Sequence, residues 1–465
     1  MLNLTHALLG RQTGRTDVLA RVREARYWHW RQRPSHGNVG QQQRAAPLAP
    51  TQRGPLLERR QVRSRLALVL HEGELGGANV AVVRLLPLLR QRWDVTAWVP
   101  GEGATADVLE RHGARVTRVA RPYAFSARGL VAQPGPVRRL VHVPSYRRAW
   151  RRWVRSEDPD VVLFNSLLVA PELVDLPRPL RARTVLYVHE LLGNGLKPLV
   201  ALTMAKRADV HVAPSRAVAT RLARAGIRAH VIHPGVPELQ RGGTCGDANE
   251  IAVAHSLDRP VPVIGCVGTV CPIKGTDLYL AMLAELQRIR GRRFRARLVG
   301  RPPRGRWHRW GLRVLARAAD SAVECRVPPP DADESWSLRE LAELDVLVVP
   351  SRVDACPLVV LEAMALGVPV VAFNTGGIAE QLGSDGSGVL VERGDVRALA
   401  AAVADLIDAP ERRRALAEQA LRRQRRLFTV ERQAAALDAV MSALGGRPGA
   451  NTLQRDGVPL FSARV

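Results

Sequence analysis

The sequence predicts an α/β protein built on parallel sheets, and three observations predict it. Short apolar runs such as Leu66–Leu70, Val161–Phe164 and Val346–Val349 recur between loop-forming residues, which is how strands buried on both faces read. Stretches with helical spacing separate these runs, and regular strand–helix alternation is the pattern of a parallel sheet. The chain has 465 residues, room for two or three domains.

Residues 1–64 read as a basic, disordered extension, with twelve Arg against three acids and clusters of Pro, Gln and Gly. A first domain over 65–235 begins with the strand Leu66–Leu70. The Gly76-Gly77 turn and a helix from Ala78 to about Leu89 follow it, an order that can cradle an anion. Strands are expected at Val95–Val99, Val116–Val119, Val161–Phe164, Thr184–Val188, Val210–Ala213 and Ala229–Ile232. Helices are expected at Leu196–Arg207 and from Ser215. Residues 236–260, with the run RGGTCGDAN, read as a flexible linker. A second domain over 261–428 opens with the strand Val261–Val267 and a helix Thr276–Ile289. A final helix occupies 429–445, and 446–465 form a loose tail.

Composition narrows the function. The five cysteines lack CxxC spacing, which points away from a disulfide framework and from zinc. A reducing, cytoplasmic location is expected. No apolar run reaches the length of a membrane span, and no secretory signal is visible. The net charge of +26 comes nearly all from arginine, with lysine only at 197, 206 and 274. It is compatible with nucleic acid, anionic lipid or a phosphorylated substrate.

The most informative stretch is Asp345–Leu382, which reads strand, loop, helix, strand, loop, helix. Pro357 is expected at the first helical position, Leu358–Leu366 as the helix, and Gly367 as its stop. Asp354 lies in the loop and Glu362 eight positions later on an otherwise apolar helix. A carboxylate there is costly without a partner. Both fall at the carboxyl ends of strands, where open α/β sheets bind ligands. A paired structural acid is the alternative reading of Glu362.

The stretch resembles the nucleotide-sugar site of the retaining family 4 glycosyltransferases. The resemblance rests on an acid, seven residues, Glu-Ala-Met-Ala, Gly-Val-Pro-Val-Val-Ala, and a Gly-Gly-Ile-x-Glu loop. It implies the GT-B fold, two Rossmann-like parallel-sheet domains facing across a cleft, with the last helix crossing back to the first domain. It implies a nucleotide-sugar donor (UDP, GDP or ADP type), with Glu362 on the ribose hydroxyls and Asp354 on the donor sugar. Cys356, Pro357, Leu358, Gly376 and Gly377 line the donor, Gly76 and Gly77 the phosphate or acceptor, and His189, after its strand, the sugar. In Gly268-Thr269 … Lys274-Gly275, the Lys-Gly matches the family's diphosphate-binding pair, but Thr269 stands where Arg is usual. Arg301 and Arg352 are the candidates for the missing cation. No cofactor and no metal is called for. The DxD-like Asp331 and Asp333 read as a turn, as do Asp158 and Asp160.

Two further stretches carry charge. Residues 301–320 interleave Trp307 and Trp310 with arginines; nucleic-acid binding is the weaker reading, and an elaborated loop and helix the preferred one. Ser145–Arg155, SYRRAWRRWVR, reads as a helix capped by Ser145. Tyr146, Trp150 and Trp153 fall on one face, and Arg147, Arg148, Arg151 and Arg152 on the rest. One reading packs the aromatic face on the sheet and leaves the arginines solvated; the other expects these arginines, with Arg138 and Arg139, to dock on an anionic membrane, and the acceptor to be lipid-linked or an envelope glycan. A non-catalytic binding protein and a nucleotide-sugar epimerase of similar architecture remain as alternatives.

Overall fold

The computed structural model describes residues 63–445, apart from 102, 123–141, 178, 181, 193–195, 242–249, 252–260, 292–293, 304, 306, 330–331 and 333. The extension up to residue 62, the tail from 446, Arg138, Arg139, Asp331 and Asp333 lie outside the described residues.

Seven parallel strands form the first sheet: β1 Ser64–Val69, β2 Trp93–Pro100, β3 Arg115–Val119, β4 Val161–Phe164, β5 Arg183–Tyr187, β6 Val210–Ala213 and β7 His230–Val231. Their order is β3-β2-β1-β4-β5-β6-β7. A small parallel pair, β8 Gln240–Arg241 and β9 Glu250–Ile251, follows. The second sheet contains β10 Val263–Val267, β11 Arg295–Val299, β12 Glu324–Arg326, β13 Val346–Val349, β14 Val370–Phe373 and β15 Val389–Val391, in the order β12-β11-β10-β13-β14-β15. Strand order reverses between β1 and β4 and again between β10 and β13, the two places where such sheets open a crevice at their carboxyl ends.

The period-2 rule of strands explains why each sheet is covered on both faces. Leu66 and Leu68 of β1 join one core cluster, with Val95 and Leu163. Ala67 and Val69, pointing the other way, join a second with Trp98 and Phe164. In the second domain Leu347 and Val349 face one helical layer, and Val346 and Val348 the other.

The helix expected over 78–89 is two pieces, α1 Gly77–Val83 and α2 Leu86–Leu89. Pro87 lacks an N–H and crowds the carbonyl four residues back, which belongs to Val83, the last residue of α1. The remaining helices are α3 Ala104–Arg111, α4 Val143–Glu157, α5 Ala170–Val174, α6 Leu196–Ala205, α7 Arg216–Ala223, α8 Thr276–Arg290, α9 His308–Asp320, α10 Glu334–Ala342, α11 Leu358–Ala365, α12 Ile378–Leu382, α13 Val396–Asp408, α14 Pro410–Leu427 and α15 Val430–Gly445.

Helix α15 packs Val430, Ala434, Leu437 and Met441 into the core of the first sheet. Asp438 fixes it there, accepting from Trp93 Nε1 at 2.6 Å and Arg92 Nη1 at 2.5 Å. The start of the supposed linker is not loose: Val236 and Leu239 are buried in the second domain's core, and Val236 bridges Thr429.

Candidate functional site

The second domain's half of the site is built from three strand ends. After β10 the chain passes Gly268 and the exposed Thr269 and reaches a short 3-10 turn, Pro272–Lys274. Gly275 closes that turn with φ of +68°, and a Cβ there would lie 1.9 Å from the Pro350 carbonyl oxygen. Only glycine permits both the left-handed backbone and this approach. The turn therefore lies against the loop after β13, and Lys274 Nζ donates to Asp354 Oδ2 at 2.7 Å. Ser351 Oγ donates to the same oxygen at 3.1 Å. Burial works against the Lys274 ammonium, but the Asp354 carboxylate outweighs it and raises the lysine pKa above its ordinary value. A pocket here is lined by Gly268, Thr269, Lys274, Ser351 and Asp354.

The two candidates for the missing cation part company. Arg352 is committed to bracing the lysine turn: it holds Asp277 with two bonds, 2.7 and 2.8 Å, and donates to the Pro272 carbonyl at 2.8 Å. Arg301 lies beside Thr269, since its carbonyl accepts from Val270 N at 3.0 Å. Its side chain is exposed, with one long bond of 3.4 Å to the Pro329 carbonyl.

Pro357 is the N-cap of α11 rather than its first residue, and Leu358 begins the helix. Cys356 stays a neutral thiol, because burial, Glu380 and Asp354 push its pKa well above the ordinary value. Glu362 does have a protein partner, one that sequence reasoning missed: Arg84 of the first domain, at the end of α1, donates from Nη2 to Glu362 Oε1 at 2.7 Å. Gly376, at φ +56°, and Gly377 are pressed against the backbone of Asp354 and Ala355. Their missing side chains serve this close packing, which supports the Asp354 loop from below.

The first domain's half comes from three neighbouring strands. Gly76 caps α1 and Gly77 begins it; a Cβ on Gly77 would meet Leu358 across the cleft at 3.9 Å. His189, after β5, shares a 2.8 Å hydrogen bond through Nε2 with Asn165 Oδ1, after β4. Asn165 is oriented by its own amide, which donates to the Ala78 carbonyl at 2.9 Å. Nε2 of His189 therefore carries the proton and Nδ1 is left as an acceptor. Burial and the nearby His71 push the His189 pKa down to about 3, so the ring is neutral. His71, after β1, behaves oppositely: burial opposes its charge, yet Glu72 and Glu190 raise its pKa above the ordinary value. Asn165, His71, Glu190 and Arg84 were all missed. The strand-end rule that flags His189 applies equally to His71 and Asn165.

The two halves touch directly. Ser215 Oγ donates to the Ala355 carbonyl at 2.7 Å. Glu380 accepts from the backbone N–H groups of Arg216 and Ala217 at 2.7 and 2.9 Å and from His233 Nε2 at 3.2 Å. Lys274 and Asp354 are thus brought together and Glu362 meets the first domain. Among the described residues no hydrogen bond links His189 to any of the three. No group of three or more His, Cys, Asp or Glu among them could hold a metal ion.

The arginine-rich helix is mostly structural. His142, not Ser145, is the N-cap of α4, and Ser145 Oγ donates back to the His142 carbonyl. Pro144 in the first turn draws the helix start upstream. Trp150 and Trp153 are buried against Trp98, so they are unavailable to a membrane interface. Arg147 and Arg151 both bind Asp175 Oδ1 at 2.5 Å, while Arg148 and Arg152 are exposed. Trp310 of α9 packs against the second domain's core rather than standing free as a stacking platform. Among the described residues no helix is long and apolar enough to cross a membrane.

Two parallel-sheet domains that meet at the carboxyl ends of their strands are the architecture of the GT-B glycosyltransferases. Residues 75–238 match the model described as Glycosyltransferase Family 4, and 247–423 that of Glycosyl transferases group 1. A D-inositol 3-phosphate glycosyltransferase of Kineococcus radiotolerans is 30% identical over 399 residues, covering 76% of this chain and 87% of the relative. The lipopolysaccharide core biosynthesis mannosyltransferase LpsB of Rhizobium meliloti is 31% identical over 214 residues, 43% of this chain and 56% of its own. The chain belongs to the family 4 glycosyltransferases. This sets aside the readings as a non-catalytic binding protein or an epimerase. Among solved structures, Anabaena Alr3699/HepE in complex with UDP and glucose superposes with a TM-score of 0.67 at 20% identity, over 82% of this chain and all of that one. Sucrose-phosphate synthase of Thermosynechococcus elongatus gives 0.64 at 20% identity, over 82% and 99%.

Proposed function

We propose that this glycosyltransferase moves a sugar from a nucleotide-diphosphate sugar to an acceptor hydroxyl, with retention of configuration, in the synthesis of an envelope glycan or glycolipid. The observation that carries the reading is the pocket where Lys274, Asp354 and Ser351 meet beside the open backbone of Gly268 and Thr269. When the sugar leaves, negative charge develops on the diphosphate, and a fixed cation lowers that barrier. Lys274 supplies the cation, and Arg301 is the second. A phosphate taking over Lys274 releases Asp354 to the sugar hydroxyls. Glu362 accepts from the ribose, and neutral His189 offers the Nδ1 lone pair to a sugar hydroxyl without placing a charge beside it. No protein nucleophile is needed if the leaving phosphate takes the acceptor's proton. Crossing contacts such as Ser215 to Ala355 hold the cleft closed, which excludes water from the activated donor.

The solved structures carrying UDP and UDP-glucose support a nucleotide-sugar donor. The lipopolysaccharide-core relative supports an envelope product. A thermal-shift screen of UDP-, GDP- and ADP-sugars tests the donor, because a ligand of the folded state raises Tm. One nucleotide series is expected to raise Tm; no shift with any of the three would contradict the reading.

A further inference from the structure

We propose that Arg84 of the first domain is a positioning residue for Glu362 of the second, so that the donor's ribose subsite is complete only when α1 is seated on α11. The proposal rests on the reading that Glu362 accepts hydrogen bonds from the ribose. Arg84 stands at the break that Pro87 imposes between α1 and α2. Its side chain is 6% exposed and that of Glu362 13% exposed. A charge buried to that extent is costly without its partner. Around Glu362, α11 offers only buried apolar residues, Val360, Leu361, Ala363 and Met364, so the carboxylate takes its orientation from across the cleft. Arg84 Nη2 occupies Oε1 at 2.7 Å. Oε2 has no protein donor among the described residues, and it is the oxygen left to a ribose hydroxyl.

The contact is also part of a longer seam. Gly77, at the start of α1, faces Leu358, one helical turn before Glu362 on α11. Helix α1 therefore meets α11 at two points, through a glycine that permits close approach and an arginine that delivers charge. A donor that needs the positioned carboxylate must favour this seating, and the seating must favour the donor to the same degree.

The test uses the full chain, with UDP, GDP and ADP as calorimetric probes and the cognate nucleotide sugar for kinetics. Arg84→Met is expected to raise the nucleotide Kd about tenfold, the scale of one lost charge-assisted bond. It should raise the donor KM more than it lowers kcat, and Arg84→Lys should recover part of the loss. In a Glu362→Gln background, Arg84→Met should add nothing further. Should Arg84→Met not fold, Arg84→Gln carries the same comparison. Wild-type affinity in either variant would overturn the proposal, and tighter binding would show that Arg84 obstructs the site instead. Nucleotide that fails to bind even the wild type would overturn the donor reading itself, and the proposal with it.

Discussion

Compare the two banks of the cleft. The second-domain bank carries ion pairs of its own, Lys274 with Asp354 and Arg352 with Asp277, while its Glu362 reaches across to Arg84. On the first-domain bank, polar groups from three adjacent strand ends surround a neutral imidazole: His189 bonds Asn165, with His71 and its acids beside them. On the proposed function, the difference suits two tasks. A departing diphosphate needs fixed charge, whereas a sugar hydroxyl needs aimed hydrogen bonds in a site where an extra charge would attract water and counter-ions.

The largest expected break in this contrast is Lys274→Met. Removing the cation should lower kcat/KM by about 100-fold or more, the scale of a lost transition-state charge contact. Tm should fall as well, since the buried Asp354 loses its cation and keeps only the Ser351 hydroxyl; the loss of activity should persist well below that Tm. Lys274→Arg should recover only part, because the guanidinium differs in reach and shape. A fully active Lys274→Met would hand the diphosphate to Arg301.

Next comes acid sensitivity on the other bank. The folded pKa of His189, about 3, lies below the ordinary 6.5. The unfolded chain therefore binds more protons between those values, and stability is lost as pH falls from 6.5 toward 3. Wild type should lose more Tm between pH 7 and 4.5 than His189→Gln does in parallel melts. Equal losses would mean that the ring is not held neutral.

Smaller effects sharpen the contrast from outside the cleft. On the proposed role of Lys274 as the cation at the diphosphate, activity should persist in EDTA; abolition by chelator with rescue by manganese would return attention to Asp331 and Asp333. On α4, Arg148→Ser with Arg152→Ser should reduce salt-sensitive sedimentation with anionic vesicles, each basic residue contributing about 1 kcal/mol near such a surface. Arg147→Ser with Arg151→Ser should instead lower Tm by leaving Asp175 unpaired. Equal recovery with neutral vesicles would remove this helix as an anchor.

The banks also differ in how far they can be read from sequence. The α/β class and most strands were legible because buried strands are short apolar runs, and Asp354, Glu362 and Lys274 stood out as charges in short motifs. What the motifs did not carry was partners. Arg84 lies 278 positions from Glu362, and only the packing of α1 on α11 unites them. Pro87 is visible in the sequence, but the helical spacing runs on through it and hides Arg84 at the break. His71 and Asn165 converge because β1, β4 and β5 are adjacent in the sheet, an order that local sequence does not encode. On α4 the pattern gave a helix and an aromatic face, and of its two readings, packing on the sheet and facing a membrane, the burial of Trp150 and Trp153 bears out the first.

The central claim, that this cleft binds a nucleotide-sugar donor through its second-domain bank, is tested most directly by titrating the nucleotide identified in the thermal-shift screen into wild type and Glu362→Gln by calorimetry. Losing charge-assisted bonds to the ribose should cost about 1.5–3 kcal/mol, a Kd rise of about 10- to 150-fold, with Tm lowered because Arg84 loses its charged partner. Equal affinity in the two proteins would contradict the account.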